Sequence, residues 1–235
     1  AFFVPTPTPT QSAESFANQA QELLEAGKLR PAIDAYKQAI RADPENKSYY
    51  VEMARIEVWL GLCADAQESA ERALIGNDGY ALAHAVRGWA LNCLDDYLQA
   101  EAALKTALEL DPNSALAHAY MAEVLVNKNE SGQGDLGDMD KAIEESRIAY
   151  SLAPNLLEAL RARGYVLFAT GNYEESLAMY RAALNINKRI PDLYMFLGYN
   201  YNALDQYPDA VEAFSEANSL NPSDPIPDLE LSRTY

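Results

Sequence analysis

GYVLFATGNYEESLAMYRAA (residues 164–183) and GYNYNALDQYPDAVEAFSEA (residues 198–217) lie 34 residues apart and share their small and aromatic positions. Working outward from them, the alanine at 183 returns at Ala39, Ala73, Ala107, Ala149 and Ala217, each 34 apart except for one gap of 42. A second row, Ala32, Ala66, Ala100, Ala142, Ser176 and Ala210, runs seven residues ahead of the first, which is two helical turns on one face. A third row, Ala20, Ala54, Gly88, Ala122, Gly164 and Gly198, precedes the second by twelve in the uninterrupted repeats and falls on the preceding helix. Facing small rows let paired helices approach closely. Gly27, Gly61, Asp95, Gly171 and Asp205 stand between the helices of each pair, and Pro44, Pro112, Pro154 and Pro222 close the repeats. One hairpin cannot bury its own apolar face, so successive hairpins must stack into a solenoid with a concave surface.

These residues resemble the tetratricopeptide repeat family: a large residue, Leu, Gly or Ala and Tyr on the first helix, then Ala, an aromatic, Ala and Pro. The resemblance implies an all-α, right-handed superhelical solenoid of stacked antiparallel helix pairs. It covers residues 13–224 as six repeats: 13–46, 47–80, 81–114, 115–156 with an eight-residue insertion, 157–190 and 191–224. Residues 1–12 form a Pro/Thr-rich linker. Residues 225–235 begin a seventh repeat, with Leu231, Ser232 and Tyr235 at its offsets, or form a lone capping helix. Several positions depart from the pattern. Asp78 and Lys188 replace the closing Pro, Gln19, Arg87 and Arg163 occupy the Leu offset, and Glu57 stands at the Tyr or Leu offset. A charge buried at such a place needs a partner.

The 235 residues carry 35 Asp plus Glu against 18 Lys plus Arg, a net charge of −17, with 49% hydrophobic residues. The hydrophobic share supports a folded core, and the negative balance with no basic stripe removes the electrostatic basis for binding nucleic acid or an anionic membrane. Two Cys and two His leave no stapling framework and little for a metal centre, so no cofactor and no metal are expected. His84 and His118, one period apart, are read as core-filling residues near their helix starts. No Ser, His, Asp combination has a motif around it, and the sequence is read as non-catalytic. Cys63 and Cys93 fall near the turns of adjacent repeats, where a disulfide is conceivable and isolated buried thiols are the alternative.

The family resemblance places certain offsets of each first helix on the inner surface. The candidate partner-binding groove is then Val51, Arg55, Leu82, Trp89, Asn92, Glu123, Arg161, Tyr165, Phe168, Met195, Tyr199 and Asn202. Its apolar and aromatic character suits a peptide or partner segment with apolar anchors, ordinary packing between repeats being the alternative for each side chain. Arg55 and Arg161 are available either to a peptide carboxylate or to neighbouring acids such as Glu158, Asp192 or Glu123. Cochaperones of the family hold a C-terminal carboxylate with a clamp of Lys, Asn, Asn, Lys and Arg. Here the matching offsets hold Ala17, Gln21, Glu52, Leu82 and Val86, so the clamp is absent.

The insertion lies within residues 127–138. Asn127, Asn129, Ser131, Gly132, Asp135 and Asp138 coincide with calcium-loop offsets, but Asn replaces the leading Asp and Asp the closing Glu. Few anionic oxygens remain, and the segment is expected to be a plain solvated loop. Three roles fit the sequence: a protein-interaction scaffold, a regulatory or substrate-presenting arm of a longer enzyme, and a module that assembles with copies of itself. The run Pro5-Thr6-Pro7-Thr8-Pro9-Thr10 is an extended spacer. It fits an extracytoplasmic stub tethered to a membrane, or else a linker within a longer cytoplasmic chain.

Overall fold

A computed structural model describes residues 11–222 and 224–234. Most of the Pro/Thr-rich linker, and Tyr235 of the expected seventh repeat, lie outside the described residues. The described chain forms six helix pairs: α1 (Ala13–Glu25) with α2 (Leu29–Ala42), α3 (Lys47–Trp59) with α4 (Cys63–Leu74), and α5 (Ala81–Cys93) with α6 (Tyr97–Leu110). They continue with α7 (Ala115–Glu130) and α8 (Asp138–Leu152), α9 (Leu157–Ala169) and α10 (Tyr173–Ile186), and α11 (Pro191–Ala203) and α12 (Tyr207–Leu220). Helix α13 (Ile226–Thr234) packs on α12, with Leu231 against the cluster of Met195, Ala210, Phe214 and Ala217. The result is an all-α helical-repeat solenoid. Among the described residues no helix is long and apolar enough to cross a membrane.

The small-residue rows are the seams of this stack. Every alanine in all three rows is fully buried, as is Ser176, and the glycines at 88, 164 and 198 are buried too. The glycines answer to large side chains on the partner helix. A Cβ at Gly164 would sit 2.9 Å from Tyr180 Cε2, and one at Gly198 would collide with the ring of Phe214. Where the first helix carries Ala54 or Ala122, the equivalent positions on the second helix hold the small, buried Ala70 and Ser146.

Each hairpin turn ends its first helix with a residue of positive φ, between 58° at Asp205 and 78° at Gly171, with Gly132 at 77° in the longer fourth repeat. The following N–H then reaches back five residues, as in Lys28 N to Leu23 O at 2.8 Å and Gln206 N to Tyr201 O at 2.9 Å. Asp95 and Asp205 adopt φ of 60° and 58° at the same place. Each accepts a 2.7 Å bond from the hydroxyl two residues on, Tyr97 and Tyr207, which helps hold a conformation that Asp tolerates better than most residues.

The insertion is partly helix. Helix α7 has 16 residues where the other full first helices have 13, so Asn127 and Asn129 are helical and only residues 131–137 form a loop. Lys128 is 3% exposed and extends its ammonium to Glu101 at 3.0 Å and to Asp135 and Asp138 at 3.1 Å. Asp138, also buried, accepts from the Asp135 N–H at 2.8 Å. Burial pushes the Asp138 carboxyl upward, but that bond and the Lys141 and Lys128 ammonium groups overcome it and hold the pKa at about 2. Residues 131–136 are exposed, as expected of a solvated loop, and the loop is anchored at its base by the buried Lys128, whose positive charge takes the carboxylates that a cation would need.

Candidate partner-binding surface

The inner face is drawn closer than an open groove. Arg55 on α3 bonds Glu52 at 2.8 Å and pairs with Glu158 on α9, three repeats along. Arg161, also on α9, donates from Nε to Asp192 at 2.7 Å and pairs with Glu123, which accepts a 3.1 Å bond from Trp89 Nε1. Its guanidinium lies 5.2 Å from the ring centroid of Trp59 and 5.7 Å from that of Trp89. Trp89 in turn stacks on Tyr120 with centroids 4.5 Å apart. Burial pushes the Glu123 carboxyl upward against the pull of Arg161, while Asp192 and Glu123 outweigh burial to raise Arg161 further. Both inner arginines are thus committed to acids of the chain itself.

Several residues of the expected groove are packed within the chain rather than open. Val51 and Glu123 are 0% and 1% exposed and belong to the core. Leu82 packs partly buried against that core. Asn92 accepts a 3.0 Å bond from Asn127, and the Tyr165 hydroxyl donates 2.5 Å to the same Asn127. Phe168 sits among Tyr173, Phe196 and Tyr199, and Asn202 bonds Thr234 on α13 at 3.1 Å. These contacts build the wall between repeats.

A cavity of about 450 Å³ remains open on the inner face, between α3, α5, α7, α9, α11 and the segment leading into α13. Five expected residues, Trp89, Asn92, Arg161, Met195 and Tyr199, line it; Val51, Arg55, Leu82, Glu123, Tyr165, Phe168 and Asn202 do not. The sequence reading missed Trp59, Asp95, Asn127, Phe196 and Asp224, which do. Trp59 could have been flagged as one of only two tryptophans, and Asp95 as a charged turn residue; Asp224 enters the lining with Ile226 where the chain turns into α13. The lining joins aromatic faces to a rim of amides and carboxylates. Burial, aided by the carboxylates of Glu230, Asp192 and Asp224, pushes the Tyr199 phenol up to about 12.

The other candidates fall into structural roles. His84 Nε2 lies 2.8 Å from Asp78 O and His118 Nε2 lies 3.0 Å from Pro112 O, each tying a first helix to the junction before it. The His118 Nδ1 contact with Glu145 at 2.5 Å raises the imidazole pKa. Arg87 faces Glu71 at 3.6 Å, and Arg163 donates to Ser146 Oγ at 3.1 Å. Cys63 and Cys93 form a disulfide with their Cα atoms 5.5 Å apart, joining the start of α4 to the end of α5 at the cavity edge.

Tetratricopeptide repeat families match residues 18–74, 81–114, 157–190 and 191–224. The chain is 26% identical over 176 residues to the human RNA polymerase II-associated protein 3, covering 73% of this chain and 26% of that protein. It therefore spans about a quarter of that relative. Among solved structures it is similar to a tetratricopeptide repeat protein from Parabacteroides merdae, at 20% identity and a TM-score of 0.64, over 97% of this chain and 86% of that one. It is also similar to the APC/C hetero-tetramer Cut9–Hcn1, at 16% identity and a TM-score of 0.66, over 95% of this chain and 43% of that one. With its 34-residue period, helix pairs and seams all present, the chain belongs to the tetratricopeptide repeat family and has the architecture of a protein-interaction scaffold.

Proposed function

We propose that the protein is a non-catalytic scaffold that holds a segment of a protein partner in the central cavity of its inner face. The observation that carries this reading is the cavity itself. Trp59, Phe196 and Tyr199 meet there beside Asn92, Asn127 and Asp192, so apolar anchoring surface and orienting polar groups converge in one concavity. Arg161, the cation of the lining, is spent on Glu123 and Asp192 rather than paired with a nucleophile. A human relative that is by name associated with RNA polymerase II is consistent with partner binding as the shared theme.

The test is affinity capture with wild type and with a Phe196→Ala/Tyr199→Ala variant shown to be folded by circular dichroism. The partner recovered by wild type is lost by the variant. A partner retained at equal yield would place binding elsewhere. We also propose an extracytoplasmic location, with the Pro/Thr-rich segment as tether. The Cys63–Cys93 disulfide supports it, because such bridges persist chiefly in oxidising compartments. Thiol alkylation of the protein from its native source, before any reduction, should leave both cysteines unlabelled; labelled thiols would argue for the cytoplasm.

A further inference from the structure

We propose that the central cavity selects a cationic protein segment, in which lysine or arginine side chains flank one aromatic or branched apolar residue. This rests on the binding surface just described and adds the chemistry of its occupant. Three carboxylates, Asp95, Asp192 and Asp224, stand on the lining, and Arg161 is the lining's one cation among the described residues. That cation is already spent on Glu123 and Asp192. The Asp95 carboxylate accepts from the neutral Tyr97 hydroxyl, and Asp224 accepts the Ile226 N–H at 3.0 Å; among the described residues neither is in an ion pair.

The cavity therefore meets an incoming segment with uncompensated negative charge, inside a chain of net charge −17. An acidic segment is repelled and a basic one attracted, both at the encounter and in register. Trp59 and Tyr199 add aromatic faces on which a guanidinium or ammonium can lie, as Arg161 already lies over Trp59. A volume of about 450 Å³ accommodates a few side chains rather than a whole helix. The neutral apolar residue of the segment would fill the space between the rings while its cationic neighbours reach Asp95 and Asp224.

Trp59 and Trp89 are the two tryptophans of the chain and both line the cavity, so tryptophan emission reports on this place. The full chain is titrated with Ac-Gly-Lys-Lys-Phe-Lys-Lys-Gly-amide and with Ac-Gly-Glu-Glu-Phe-Glu-Glu-Gly-amide at low and physiological salt. The basic peptide should change the emission at a concentration at least tenfold below any effect of the acidic one, and rising salt should weaken it. The variant Asp95→Asn/Asp224→Asn keeps a side chain that tolerates positive φ at 95 and caps α13 at 224. It should bind the basic peptide about three- to tenfold more weakly with an unchanged circular dichroism spectrum. Equal or tighter binding of the acidic peptide, or equal binding of the basic peptide by variant and wild type, would overturn the charge selection. An emission change with the acidic peptide alone would leave the scaffold reading standing while this inference fails. Silence with both peptides, with partner capture still dependent on Tyr199, would have the same meaning.

Discussion

Glu57 occupies a position that holds Leu23, Leu91, Leu125, Leu167 and Tyr201 in the other repeats, and it is 3% exposed. One of its carboxylate oxygens, Oε2, has no hydrogen-bond partner. Burial pushes its pKa up from 4.5 to about 7, against a hydrogen bond from Ser69 and the charge of Lys37. The folded chain therefore keeps this proton to higher pH than the unfolded chain. Its contribution to stability falls as pH rises from about 4.5 to about 7, and above that window the buried charge costs on the order of 2–3 kcal/mol. Glu57→Leu should raise the melting temperature at pH 8 by about 4–10 °C, with the gain shrinking toward pH 5. Thermal unfolding followed by circular dichroism at both pH values checks this; an equal gain at the two pH values would mean that packing, not ionisation, is responsible. The sequence marked Glu57 as a departure from the pattern but did not say whether a partner awaited it. That answer depends on Ser69 and Lys37, which sit on neighbouring helices rather than at a fixed offset.

At the scale of the element, the fourth repeat shows how a period can absorb eight extra residues. The surplus lengthens α7 and forms a loop, and both are fixed to α6 and α8 by Lys128 through Glu101, Asp135 and Asp138. Removing one member of a buried charge cluster leaves the others without compensation and typically costs 3–5 kcal/mol. Lys128→Ala should therefore lower the melting temperature by about 6–15 °C at neutral pH. It should also make residues 131–137 the first site of limited proteolysis, as mass spectrometry of the fragments will show. First cleavage outside that loop would mean that the lysine does not pin it. The place of the insertion was legible, because the 42-residue gap between Ala107 and Ala149 localises it. Its form was not. Polar, glycine-containing composition reads as solvated loop, and only the fold brings Glu101 from the preceding repeat beneath Lys128.

Over the whole molecule, the solenoid coils tightly enough that its second and fifth repeats touch through Arg55 and Glu158, residues 103 apart. The turn at Gly27 likewise lies against Arg189 at the junction of the fifth and sixth repeats, where any β-carbon would overlap the arginine side chain. Arg55→Ala would leave Glu158, 2% exposed, buried without its cation. We expect a melting temperature lower by several degrees and a larger radius of gyration by small-angle X-ray scattering. The double variant Arg55→Met/Glu158→Leu should recover most of the stability, since replacing both members of a buried pair by apolar groups is often neutral. Unchanged scattering and melting in Arg55→Ala would show that the pair does not set the curvature. This is also why the seams were legible in the sequence and most of the inner face was not. A 34-residue period fixes how neighbours pack, whereas curvature follows from contacts far apart in the chain. Curvature decides that Val51 and Glu123 are core while Trp59 and Asp224 border a cavity.

The most direct measurement is site-specific photocrosslinking in extract from the native source, with a benzophenone amino acid placed at Tyr199 on the cavity or at Ile75 on an exposed turn. Binding in the cavity should give an adduct with one protein from position 199 and none with that protein from position 75. An adduct of equal yield from both, or from position 75 alone, would contradict binding at the inner face.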